Sequence, residues 1–191
     1  MTPFVLISIL YSMNFYYLWV PDSVGIAASQ PSQIFSLLAC ASYVFAISLP
    51  LGQVIASAEL HKQLAFACLA EAALNLLLSI AFGFLFGKIG IAVATLIACL
   101  TIHLPSRLWL CHKATKTPLL LLLSSFVKPS YCLLCFTPTL LTIKYLLPSE
   151  SWTSLIISGF SGISAWALVA IAIGLTPKER LTLRTKLIPP K

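Results

Sequence analysis

The sequence predicts an all-α fold, a polytopic transmembrane bundle of about six helical spans, and three observations predict it. Hydrophobic residues make up 59% of the 191 residues and charged ones only 9%, at a mean hydropathy of +0.98. A water-soluble domain of this length cannot hide so much apolar surface, so lipid must be its solvent. The apolar residues also fall into runs of roughly twenty, the length a helix needs to cross a hydrocarbon core about 30 Å thick. Finally, the Lys and Arg residues gather at the ends of these runs and in the tail, where lipid headgroups and water can solvate them.

Each span follows from the local sequence. The first covers residues 3–20, is uncharged, and ends in an interfacial aromatic belt of Tyr16, Tyr17 and Trp19. It lacks the basic start and small-residue cleavage site of a secretory leader, so it reads as a span. A polar loop covers residues 21–32. The second span, residues 33–56, carries Pro50, Gly52 and Gln53 near its end, which are expected to kink or loosen it. Residues 57–63 form a short connection holding Glu59, His61 and Lys62. Spans three and four, residues 64–86 and 89–110, are joined by a two-residue turn at Gly87-Lys88, and so short a turn makes them antiparallel neighbours. A basic connection with His112, Lys113 and Lys116 follows. Residues 119–127 are too short to cross a membrane alone; they lie at the interface or extend the next helix. The fifth span is residues 129–147, with Pro138 in its middle, and after a turn at 148–151 the sixth runs over residues 152–175. Residues 1–175 thus make one transmembrane lobe, and 176–191 a basic tail.

Charge placement sets the expected orientation. One side of the membrane collects Lys62, Arg107, Lys113, Lys116, Lys128, Lys178, Arg180, Arg184, Lys186 and Lys191, and the other only Lys88 and Lys144. The side rich in Lys and Arg faces the cytoplasm, which places both termini there, in a multi-pass protein of the cytoplasmic membrane. The net charge of +7 has no aromatic-interleaved basic face, so lipid headgroups and not nucleic acid are its expected partner.

Several chemistries are excluded. Cys132-Leu-Leu-Cys135 has the spacing of a redox or zinc half-site, but no second Cys pair or His cluster accompanies it. Its surroundings are apolar, and cysteine there behaves as a small hydrophobe. No phosphate-binding glycine loop, paired-His metal spacing or nucleophile with a base is present, so no enzyme, metal or cofactor is expected. Asp22, Glu59 and Glu150 are isolated loop acids.

The candidate functional residues lie in the hairpin of spans three and four. Glu71, Asn75 and Ser79 form one stripe at helical spacing; Thr95, Cys99, His103 and Arg107 form another. A charge at mid-bilayer costs about 2.5–3.5 kcal/mol on insertion scales, so such residues face a protein interior or a wet pathway. Counting from the turn at 1.5 Å per residue puts Glu71 level with His103, Asn75 with Cys99, and Ser79 with Thr95. Glu71 and His103 sit roughly 10 Å inside the cytoplasmic edge of the core. There a carboxylate and an imidazole suit proton coupling or contact with a polar headgroup. Arg107, a turn further out, has the fork of donors that grips phosphate. Pro105 opens backbone carbonyls into the same region. Asn75 and Ser79 read more simply as helix-packing groups, and Glu71 and Arg107 also have plain readings, as interhelical hydrogen-bonder and interfacial snorkeller. Gly83 and Gly87 match the GxxxG packing spacing, though Gly87 more simply serves the turn.

These residues also carry a resemblance. Trp19 after an apolar helix, a helix ending Leu51-Gly52-Gln53-Val54-Ile55-Ala56, then Glu71 followed by Asn75-Leu76-Leu77-Leu78-Ser79, and Phe86-Gly87-Lys88-Ile89-Gly90-Ile91-Ala92-Val93-Ala94-Thr95 resemble the second half of polysaccharide flippases. The closing Leu175-Thr176-Pro177-Lys178-Glu179-Arg180 is similar to the cytoplasmic end of that family's last helix. The resemblance runs over nearly the whole chain and is most specific from Glu71 to Ile97. It implies translocation of a lipid-linked oligosaccharide between leaflets by alternating access of two six-helix lobes. A coupling cation, proton or sodium, is the implied co-substrate. Six spans correspond to one lobe, so the chain is expected to be a fragment or to need a separate N-terminal lobe. Two other readings stand beside it. One is a cation-coupled multidrug exporter of the same superfamily; the other is a non-transporting membrane scaffold or remnant, in which the polar stripes only hold helices together.

Overall fold

The computed structural model describes residues 2–20, 26–147 and 151–171. Every described element is helical: α1 (Thr2–Trp19), α2 (Ile26–Ser57), α3 (His61–Phe86), α4 (Lys88–Ala98), a five-residue π-helical segment (Cys99–His103), α5 (Leu104–Thr115), α6 (Leu119–Leu146) and α7 (Trp152–Val169). Five stretches are long and apolar enough to cross a membrane: Ser29–Ser57, His61–Phe86, Lys88–Thr115, Leu119–Leu146 and Trp152–Val169. Pro3–Trp19 is apolar but shorter. This is the pattern of an all-α, multi-pass membrane protein. The chain divides into two compact units, residues 1–126 and 127–191.

In the first unit α1 pairs with α2 and α2 with the helices of the α3–α5 hairpin. Part of the expected 21–32 loop is helix, because α2 begins at Ile26; residues 21–25 lie outside the described residues. The reason is polar. Ser32 Oγ lies 2.6 Å from Ser12 Oγ of α1, and Ser12 donates its own proton to the Ile9 carbonyl, so Ser32 donates to Ser12. A hydroxyl with a partner on the neighbouring helix stays in the membrane at little cost. Helix α2 continues through Pro31 and Pro50 to Ser57. Its buried positions Ala41, Val44, Ser48, Leu51 and Ile55 alternate three and four apart, one continuous stripe.

The link after α2 is shorter than expected. It spans Ala58 to Leu60, with Glu59 in a left-handed conformation (φ 58°), and His61 already opens α3. The hairpin turn is also one residue, not two: Lys88 is helical and Gly87 alone makes the bend at φ 65°, ψ −147°, a region nearly restricted to glycine. Gly83 merely touches Ile91, 3.6 Å from a hypothetical Cβ. The glycine on which close packing depends is Gly90. A methyl group there would fall on the Phe82 carbonyl, 2.6 Å from its carbon, so backbone meets backbone where α4 leaves the bend. Gly90, Ala92, Ala94 and Ala98 are the buried residues of α4, and small residues are what let membrane helices approach.

Helix α3 has no buried residue. Its outer face exposes Phe66, Leu69, Leu76, Leu77, Ile80 and Phe84, which hydrocarbon tolerates as well as a protein core does. It is therefore held by its polar stripe and by the Gly90 approach.

Residues 119–126 resolve the two alternatives left by the sequence: they extend α6. Leu122 and Phe126 pack on the core of Leu51, Ile55, Leu108, Leu110 and Cys111. In the second unit, α6 buries Cys132, Phe136 and Leu140 at a spacing of four. Helix α7 opens on a capping box, Ser151 accepting from the Ser154 amide and Ser154 from that of Ser151. The loop at 148–150, the end of the sixth span (172–175) and the tail lie outside the described residues, as does Asp22. All six cysteines are free thiols.

Candidate functional site

The site forms where the hairpin changes helix type. Pro105 has no N–H to donate, and its ring crowds the carbonyl of the preceding turn. The chain widens before it into the π segment, where the Leu104 amide reaches five residues back to the Cys99 carbonyl. Single π turns of this kind concentrate at functional sites. In a regular helix a residue four positions on has rotated about 40° past a full turn, so a long stripe winds away from its first neighbour. The wider π turn rotates less per residue and brings His103 back to face α3.

His103 is 1% exposed and fully occupied. Its Nδ1 lies 2.9 Å from Glu71 Oε2 on α3, and its Nε2 lies 2.9 Å from Ser48 Oγ on α2. The Phe45 ring covers it, centroid to centroid 3.9 Å at 51°. Glu71 is the open member, with 17% of its side chain accessible. One imidazole thus ties three helical segments together and reaches the surface only through a carboxylate.

Of the stripe residues, the structure brings Glu71 and His103 into direct contact. Asn75 meets Thr95 and not Cys99: its Oδ1 accepts from Thr95 Oγ1 and Ser79 Oγ, each at 3.3 Å. Cys99 faces α2, its thiol 3.8 Å from the Ala41 carbonyl, which leaves the Asn75 amide to the residue one turn nearer the bend. The single Thr95 proton is shared with the Ile91 carbonyl at 3.1 Å, so this cluster is a modest clamp, worth about 0.6 kcal/mol per interhelical bond by measurements on other membrane bundles.

Arg107 is half-buried and makes no hydrogen bond or ion pair among the described residues. Its Nη1 lies over Gly52 of α2, 2.9 Å from where a Cβ would be, so a side chain there would displace only the mobile end of Arg107. It is also within electrostatic reach of His103 and Cys99. A cation that donates to none of the described residues therefore sits one turn from the Glu71–His103 contact.

At the end of α5, Lys113 donates to Gln63 (3.2 Å) and stands 5.4 Å over the Trp109 ring. His112 Nδ1 donates to the Thr117 carbonyl at 2.6 Å, closing the helix beside the left-handed Lys116. No group of three or more His, Cys, Asp or Glu is gathered for a metal among the described residues.

Three contributors were missed from sequence: Ser48, Phe45 and the full meaning of Gly52. Ser48 left one readable signal, as the only hydroxyl on the buried stripe of α2. Phe45 and Gly52 left none, because their partners stand more than fifty residues along the chain. No family model, curated protein or solved structure matches this chain.

Proposed function

We propose that the chain is the carboxy-terminal lobe of a flippase that moves a lipid-linked oligosaccharide across the cytoplasmic membrane, working with a partner lobe. In this reading both termini are cytoplasmic, Glu71 and His103 form the coupling pair, and Arg107 holds the diphosphate of the lipid carrier. The observation that carries it is the Glu71–His103 contact beside an Arg107 that has no hydrogen-bond partner among the described residues. Polar groups that served only to hold helices would spend their protons on neighbours, as the Ser79 and Thr95 hydroxyls do. Here the Arg107 guanidinium donates to none of the described residues, and the adjoining pair adds no net charge when it shares two protons. The region is therefore cationic overall, which suits a diphosphate and opposes the positively charged drugs of the exporter reading.

The test is binding, which needs no second lobe. The full chain in lipid nanodiscs is titrated with a fluorescent polyprenyl-diphosphate oligosaccharide. Arg107→Ala is expected to weaken binding about tenfold, and Arg107→Lys less, since a lone ammonium keeps the charge but loses the fork. Equal binding of the uncharged polyprenol, or displacement by a cationic dye, would overturn the assignment.

A further inference from the structure

We propose that Ser48 is a positioning residue that makes His103 a two-state proton site, its hydroxyl reversing direction when the Glu71–His103 pair loses a proton, so that the ion the pair binds is a proton. This rests on the reading of Glu71 and His103 as the coupling pair, and it names their ion.

In the structure Ser48 Oγ donates to the Phe45 carbonyl at 2.8 Å. A hydroxyl has one proton and this one has two acceptors in reach, the Phe45 carbonyl and, at 2.9 Å, His103 Nε2; while the proton is on Phe45, Ser48 accepts from His103 and Nε2 carries hydrogen. The proton between Nδ1 and Glu71 Oε2 is then shared, as imidazolium and carboxylate or as neutral ring and acid. Either arrangement holds two protons and has no net charge.

Removing one proton leaves two possible states. If the ring kept its hydrogen on Nε2, the bare Nδ1 would face the Glu71 carboxylate at 2.9 Å, lone pair against lone pair. If the ring keeps it on Nδ1, that contact survives as N–H to carboxylate, and the bare Nε2 needs a donor. Ser48 is the group in reach. Its hydroxyl turns from the Phe45 carbonyl to Nε2, and every buried polar atom keeps a partner. The balance is simple: one N–H bond of the imidazolium is lost, the proton goes to water, and the pair passes from neutral to a single negative charge.

The other charged or titratable groups around His103 are Glu71 from α3, Arg107 from α5 and Cys99 from the π segment. Helix α2 brings hydroxyl and ring but no charged residue, and in α4 only Lys88 is charged, at the far end. Arg107 is thus the cation available to the negatively charged state.

The test reads the ring directly. The full chain is labelled with 15N-histidine, placed in nanodiscs and followed by NMR from acid to alkaline pH, with His61→Gln and His112→Gln variants assigning the other two rings. The expected result is hydrogen on both nitrogens of His103 at low pH. At high pH it remains on Nδ1 alone, with Nε2 at the shift of a hydrogen-bonded acceptor. Free histidine prefers the opposite tautomer. Ser48→Ala is expected to move Nε2 to the shift of an unbonded acceptor and to weaken proton binding about fivefold, because a bond to a charged ring is worth more than one to a neutral ring. Ser48→Thr restores both. A neutral ring carrying hydrogen on Nε2, or a Ser48→Ala protein unchanged in both readouts, overturns the proposal. Neither result touches the lipid-diphosphate titration, which tests the flippase reading separately.

Discussion

Glu71→Gln is expected to lower export of the lipid-linked oligosaccharide about 100-fold in a strain or vesicle where the full system exports, while the helical content and melting temperature of the chain change little. The amide oxygen of glutamine can still accept from His103 Nδ1, so the contact that docks α3 is kept. What it lacks is the negative charge that holds the second proton on the imidazole. A coupling free energy near 3 kcal/mol, the upper part of the usual range, corresponds to about that factor. Glu71→Asp should lie between the two, with a carboxylate drawn back by one methylene. Unchanged export in Glu71→Gln with a folded protein would remove the carboxylate from the mechanism. The pH dependence of export is the sharper reading: the wild type follows the proton gradient, and the variant is flat.

The largest effect on stability is expected at Gly90. A Cβ there meets the Phe82 carbonyl group rather than a movable side chain, so α3 and α4 must part for alanine to fit. The cost is about 3 kcal/mol, at the high end for overpacking. It should appear as a loss of folded hairpin in a thermal or steric-trapping measurement. Gly159→Ala supplies the control, since nothing lies within 4 Å of its Cβ position, and it should be neutral or slightly stabilising. A Gly90→Ala protein as stable as the parent would show that the hairpin is not closed by backbone contact.

These two sites also mark how far the sequence could be read. Span lengths, the hairpin and the level placement of Glu71 and His103 follow from hydropathy and from the rise per residue, which are local properties. The pairing of Asn75 with Thr95 did not follow, because counting depth ignores the way a stripe winds around a helix. Nor did the π segment, although Pro105 two positions after His103 was its cause in plain view. The expected turn at Gly87-Lys88 is made by Gly87 alone, and the close approach at Gly90 has no counterpart in the Gly83–Gly87 spacing. That approach depends on where the bend aims the next helix, which no periodicity encodes. Ser48 and Phe45 stand more than fifty residues from their partner His103, and only the packing of α2 on the hairpin brings them there.

The absence of any buried residue on α3 has a calorimetric consequence. Where apolar surface leaves water on docking, separation carries a large positive heat capacity. The outer side chains of α3 sit in hydrocarbon whether the helix is docked or not. Its release from the bundle inside a bilayer should therefore be nearly independent of temperature in enthalpy, set by the breaking of a few polar bonds. A helix fastened in that way can be detached by breaking its few polar contacts without any apolar surface having to meet water.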